Sequence, residues 1–125
     1  FGTYSSDDCD YKYFISQAVL SKKDGFCDFI FAFCRTGQGV NICANKFDGI
    51  RSALMLDNYT AEMSIRHNCA NFFAFPARLC TSEKFILDII NTLTDNSFDG
   101  GRHQIRVQEL SWKHTTLIIW LMAGL

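Results

Sequence analysis

The chain has 125 residues, the length of one ordinary domain. Hydrophobic residues make up 48% and charged residues 20%, which supports a packed core and excludes a disordered tail. Twelve Lys and Arg against thirteen Asp and Glu leave a formal net charge of -1. That balance excludes the basic excess of a nonspecific nucleic-acid binder. No apolar run approaches the roughly 20 residues that span a bilayer.

The chain opens on Phe1 instead of Met, and Phe1-Gly2-Thr3-Tyr4 reads as the end of a strand. The polar stretch Ser5-Ser6-Asp7-Asp8 suits a loop and helix cap. Tyr11, Phe14, Ile15, Ala18 and Val19 then recur at helical spacing, and Lys22-Lys23-Asp24-Gly25 ends that helix. Residues 26–33 form a nearly continuous apolar run, as expected of a strand buried on both faces. Gly37 and Gly39 follow, and a helix is expected over 40–46. Phe47-Asp48-Gly49 is a turn before a second buried strand at 50–56.

Asp57 is suited to cap a helix over 58–66, and residues 71–75 read as a third short strand. Thr81 or Ser82 caps a helix whose Phe85, Ile86, Ile89, Ile90 and Leu93 make a stripe. Residues 96–101 read as a turn and 102–110 as a last helix. Strands alternating with helices at this spacing predict an α/β domain with a parallel sheet. Right-handed crossovers bring all strand ends to one edge, where ligands bind in such folds.

The six cysteines, at positions 9, 27, 34, 43, 69 and 80, include no C-x-x-C pair. His67, His103 and His114 make no H-x₃₋₅-H pair, so a structural zinc site has little support and no metal is expected. Several cysteines lie in apolar segments, where free Cys behaves as a small buried hydrophobe. Reduced thiols and an intracellular, cytoplasmic setting follow as the expectation.

Three constellations carry chemistry. Phe33-Cys34-Arg35-Thr36-Gly37-Gln38-Gly39 leaves a buried strand and enters a helix. Its glycines let several N–H groups converge, a cradle for a phosphate or a developing oxyanion. A thiol at the mouth of such a turn is suited to act as base or nucleophile. Position alone favours a buried structural role for Cys34 over that chemistry.

Arg66-His67-Asn68 ends a helix, where a histidine can transfer protons near neutral pH or simply sit at the surface. In Gly100-Gly101-Arg102-His103-Gln104-Ile105-Arg106 the two arginines share one helical face. They suit a phosphate dianion or, equally, solvent.

Taken in order, these segments resemble the ribose-5-phosphate isomerase B family, which includes galactose-6-phosphate isomerase subunits. The matching stretches are Phe1-Gly2-Thr3-Tyr4-Ser5-Ser6 with Asp10-Tyr11, then Cys34-x-Thr36-Gly37-x-Gly39. Ala44-Asn45-Lys46-Phe47-x-Gly49-Ile50-Arg51 and Tyr59-Thr60-Ala61 follow. Arg66-His67-Asn68-x-x-Asn71 and Gly100-Gly101-Arg102-His103-Gln104-x-Arg106 complete the series. The likeness covers 1–110, an isomerase domain, and leaves 111–125 as a divergent tail.

The resemblance implies a three-layer Rossmann-like domain with helices on both faces of the sheet. It implies an aldose–ketose isomerase acting on ribose 5-phosphate through a cis-enediolate, with no metal or organic cofactor. The site would be shared between subunits of a homodimer or dimer of dimers. By that resemblance Cys34 is the base moving a proton between C1 and C2, and Thr36 assists proton exchange at the sugar oxygens. Backbone amides of Arg35, Thr36, Gly37, Gln38 and Gly39 hold the enediolate oxygens. His67 is the ring-opening acid with Asn68 binding beside it, and Arg102 and Arg106 grip the phosphate with help from Arg78.

The pattern departs from the family in four places. A leading strand and helix with an Asp-His pair, and most of a second strand, are expected but not matched. Without that first strand the apolar strand at 26–33 is left with an unpaired edge. Arg35 replaces a glycine and would be strained if that position required a positive φ, and Lys12 replaces a proline. The tail's Leu117-Ile118-Ile119-Trp120-Leu121-Met122 either extends the last helix onto a partner or is out-of-frame sequence. Two alternatives stand beside the ribose enzyme: a galactose-6-phosphate isomerase subunit, and an inactive module that binds phosphosugars.

Overall fold

A computed structural model describes residues 1–80 and 82–110; Thr81 and the tail at 111–125 lie outside the described residues. Helix α1 (Tyr11–Lys23) leads to strand β1 (Ile30–Cys34), helix α2 (Gln38–Ala44) and strand β2 (Ser52–Leu54). Helix α3 (Asn58–Arg66), strand β3 (Phe72–Pro76), helix α4 (Glu83–Asp95) and helix α5 (Arg102–Glu109) complete the order. The strands form an open parallel sheet in the order β1-β3-β2, with Ile30 and Ser52 both in register with Phe72.

β3 is buried along its whole length and divides two cores. Its alternate residues Phe72 and Ala74 pack with Ile15, Ala18 and Val19 of α1 and Val40 and Ala44 of α2. Phe73 and Phe75 pack on the opposite face with Ala61 and Ile65 of α3 and Ile89 and Leu93 of α4. Period-two alternation with both faces apolar is what a central parallel strand requires. Truncating any of these phenylalanines to alanine would cost about 3–5 kcal/mol. The three layers and the α/β class match the expectation from sequence.

The helix starts follow local chemistry. Asp10, not the Ser5–Asp8 stretch, caps α1 by accepting from the Lys12 N–H at 2.9 Å. Asp57 accepts from the Thr60 N–H at 2.7 Å in a reciprocal capping box, and Ser82 accepts from the Phe85 N–H at 3.1 Å.

Four boundaries differ from the expected ones, one of them at β2, which spans Ser52–Leu54 where a strand over 50–56 was expected. Phe1–Tyr4 forms no strand, and β1 begins at Ile30 instead of residue 26. Phe26 follows the left-handed Gly25 and is 83% exposed, so its apolarity reports no burial. Helix α2 starts two residues early because Gly37, at φ 74° and ψ -13°, turns the chain into it at once.

Candidate functional site

The sheet sorts the expected site residues into two groups. β1 and β3 run parallel, and Cys34 lies opposite Pro76 where both strands end. The Ala77 N–H donates to the Cys34 carbonyl at 2.8 Å and the Arg78 N–H to the Arg35 carbonyl at 3.1 Å. Cys34, Arg35, Thr36, Gly37, Gln38, Gly39 and Arg78 therefore share the carboxyl edge of the sheet.

Gly37 carries the geometry of this loop. A Cβ there would lie 2.5 Å from Leu54 Cδ1 and 3.2 Å from the Pro76 nitrogen, so φ and space both demand glycine. The loop is thereby pressed onto the ends of β2 and β3, with Cys34 at its mouth. The opening turn of α2 leaves N–H groups without intrahelical partners. Thr36 Oγ1 accepts the one from Gln38 at 3.4 Å.

The strain considered for Arg35 does not arise. Among the described residues Cys69, at φ 50°, is the non-glycine with positive φ. Arg35 is exposed and keeps an ordinary backbone.

Tyr11 belongs to this edge; from sequence it was read as part of a core stripe and of a stretch matching the family, with no role at the site. It is half exposed, and its ring lies over the loop, 3.1 Å from where a Cβ on Gly39 would sit. Its stripe position is compatible with burial, so periodicity alone could not separate it from Ile15 and Val19.

The second group sits at the amino edge. α3 runs back across the sheet and ends at Arg66, with His67 and Asn68 just before β3 begins at Phe72. The Cys69 N–H donates to the Ile65 carbonyl and the Ala70 N–H to the Ser64 carbonyl, closing the helix with Cys69 left-handed. The Asp99 N–H donates to the Arg66 carbonyl at 2.9 Å, which docks the turn before α5 onto this end. Gly100 and Gly101, at φ 65° and 54°, then swing the chain into α5.

α5 brings His103 face to face with His67, ring centroids 4.1 Å apart and planes within 11°. Arg66 Nη1 donates to Glu62 Oε1 at 2.7 Å and Arg66 Nε to Asp99 Oδ1 at 3.1 Å. Asp99 Oδ2 stands 4.0 Å from His67 Nε2. The hydrogen bond from Arg66 holds the Asp99 carboxyl below its usual range, assisted by the charges of Arg66, His67 and His103. Burial pushes His103 below the usual histidine value, and His67, Arg102 and Arg106 add to that while Asp99 opposes it. His103 thus favours its neutral form beside His67. Neither His103 nor Asp99 was assigned a role from sequence.

Asn68, Arg102 and Arg106 are exposed around this stacked pair. Asn71, part of the same sequence stretch, is structural: its side chain accepts from the Arg51 N–H at 2.9 Å and donates to the Gly49 carbonyl at 2.8 Å. Burial raises the thiol pKa of Cys43 and of Cys80, consistent with packing roles. Among the described residues no cluster of three or more His, Cys, Asp or Glu could hold a metal ion. None of their helices is long and apolar enough to cross a membrane.

The two groups lie at opposite ends of β3, five residues or roughly 13 Å of strand. One chain thus offers a thiol with an anion-binding loop at one end. At the other it offers a histidine pair with two guanidinium forks.

The family model described as Ribose/Galactose Isomerase matches residues 1–110. The chain is 37% identical over 110 residues to ribose-5-phosphate isomerase B of Escherichia coli, covering 88% of this chain and 73% of that protein. It is 32% identical over 107 residues to ribose-5-P isomerase B of Listeria innocua, covering 86% and 72%. Among solved structures, ribose-5-phosphate isomerase B of Clostridium thermocellum superposes with TM-score 0.82 at 39% identity, covering 89% of this chain and 74% of that one. A ribose 5-phosphate isomerase from Thermotoga maritima gives TM-score 0.82 at 36% identity, covering 88% and 75%.

Proposed function

This chain belongs to the ribose/galactose isomerase family, and from that premise we propose that it interconverts ribose 5-phosphate and ribulose 5-phosphate. The observation that carries the reading is Cys34 at the carboxyl edge, beside a loop that Gly37 presses against the strand ends. A base next to converging amides is what enolisation beside a carbonyl requires.

His67 gives a proton to the furanose ring oxygen as the C1–O bond breaks and the C1 hydroxyl proton leaves. Cys34, as thiolate, then takes the C2 proton to form the cis-enediolate and returns it at C1, with Thr36 assisting exchange at the oxygens. Amides of Arg35, Thr36, Gly37, Gln38 and Gly39 hold the enediolate. Arg102, Arg106 and Arg78 bind the phosphate, and Asn68 binds beside His67. The chemistry calls on neither metal nor organic cofactor.

Cys34 and His67 stand at opposite ends of β3, which supports a site built from two copies. We therefore assign a homodimer, or a dimer of dimers, in which each site takes Cys34 from one chain and His67 from the other. Residues 1–110 form the isomerase domain and 111–125 a tail of separate character. Free thiols in the described residues accord with a reducing, cytoplasmic setting.

The test is turnover of ribose 5-phosphate by the 125-residue chain and its Cys34→Ser variant. The variant should lose about 10²–10⁴-fold in kcat while still binding the sugar phosphate. A fully active variant removes Cys34 as the base. An inactive parent chain that retains binding identifies a phosphosugar-binding module instead.

A further inference from the structure

The reading of His67 as ring-opening acid leaves open which of its nitrogens delivers the proton, and what holds the ring. Three contacts converge on Asp99. Its N–H donates to the Arg66 carbonyl at 2.9 Å, and its Oδ1 accepts from Arg66 Nε at 3.1 Å. Its other oxygen, Oδ2, faces His67 Nε2 at 4.0 Å, longer than a hydrogen bond and within ion-pair reach. Arg66 is itself braced by Glu62 at 2.7 Å, so the carboxylate stands on a fixed support.

We propose that Asp99 is the positioning residue for His67: anchored by Arg66, its carboxylate faces Nε2 and leaves Nδ1 to hand the proton to the sugar. The proposal rests on the isomerase reading above. The plane of the imidazole is already set by the stack on His103, at 4.1 Å and 11°. What the stack leaves open is a roughly 180° flip about χ2, which keeps the plane and decides whether a nitrogen or a carbon edge faces the carboxylate. A neutral imidazole carries one N–H, and a carboxylate beside Nε2 favours the proton there.

In the acid step the imidazolium gives up its Nδ1 proton to the ring oxygen and keeps its Nε2 proton opposite Asp99. The C1–O bond breaks with its electron pair on that oxygen, and the C1 hydroxyl proton passes to water. The charged and titratable groups around the ring are Glu62 and Arg66 from α3, Asp99 from the turn, and Arg102, His103 and Arg106 from α5. Among the described residues Asp99 is the carboxylate paired with the ring: Arg66 takes its Oδ1 and leaves Oδ2 facing Nε2, while Glu62 pairs with Arg66.

Two measurements on the full chain decide the matter. Nitrogen-15 NMR of the imidazoles should show neutral His67 protonated at Nε2; a neutral Nδ1–H form overturns the proposal without any variant. Asp99→Asn should then lower kcat from ribose 5-phosphate about tenfold or more, with KM held within about twofold. Exchange of the C1 proton of ribulose 5-phosphate with deuterated solvent should change less than about twofold, because enolisation of that open-chain ketose needs no ring opening or closure.

Asp99→Glu should recover part of the loss, and Asp99→Asn should add nothing in a His67→Ala background. Equal loss in turnover and in that exchange, or further loss in that background, would make Asp99 merely structural. If the parent chain turns over neither sugar, the isomerase reading fails, while the imidazole spectrum still judges the pairing of Asp99 with His67.

Discussion

His103 shows how a residue outside the expected catalytic set controls the charge around it. Its ring is 8% exposed, stacked on His67, and flanked by Arg102 and Arg106. Burial first, and then these positive neighbours, place its folded pKa below the ordinary 6.5. The unfolded chain therefore binds more protons than the folded one as pH falls through 6.5. The stability linked to His103 is complete above that value and is lost on acidification. Asp99, also held low, adds a loss of the same sign at more acidic pH. Urea midpoints measured from about pH 7.5 to about 5.5 should fall, and His103→Phe, which keeps a stacking ring without the titration, should flatten the fall. An unchanged slope in that variant would assign the pH dependence elsewhere. Sequence named His67 because it ends a helix; it passed over His103 and Asp99 because no spacing rule links residues more than 30 positions apart.

At the level of elements, what sequence could predict depended on whether the signal was local. The helices α1, α3 and α4 were legible because apolar spacing and the cap residues Asp57 and Ser82 agree with each other. The start of β1 was not, because Phe26, Cys27 and Phe29 are apolar without being paired, and pairing is set by β3. The cysteine loop lies between these cases: its glycines were legible as a turn, but the reason for Gly37 is tertiary. A Gly37→Ala chain would combine a left-handed side chain with a Cβ 2.5 Å from Leu54 Cδ1 and 3.2 Å from the Pro76 backbone. Leu54 can rotate away and the backbone cannot. We expect a loss of about 2–4 kcal/mol in denaturant unfolding, from backbone strain plus overpacking. Gly100→Ala, with open space around its Cβ and φ 65°, should lose only about 1 kcal/mol. Equal losses at both positions would mean that Gly37 is needed for conformation alone.

Across the whole molecule, the two edges of the sheet are treated differently. On β2 the Asn45 carboxamide accepts from the Ser52 N–H at 2.8 Å and donates to its carbonyl at 3.0 Å, which blunts that edge. On β1, Ile30 donates to Asn71 and Cys34 accepts from Ala77, so alternation turns the amides of Phe31 and Phe33 outward. An apolar cavity of about 470 Å³ runs beside them, lined by Phe14, Ile15, Ala18, Phe31 and Val40 among others. Phe33→Lys, at a residue 54% exposed, should therefore delay concentration-dependent aggregation seen by light scattering. The opposite ends of the sheet carry the larger consequence. If each site takes Cys34 from one chain and His67 from its partner, Cys34→Ser and His67→Ala chains should rescue one another. Unfolded together in equal amounts and refolded, half of the dimers are mixed, and each mixed dimer contains one intact site and one doubly altered site. Turnover of ribose 5-phosphate should then recover to about one quarter of the parent value. A mixture no more active than its two components refolded apart would place Cys34 and His67 in a site within one chain, against their separation along β3.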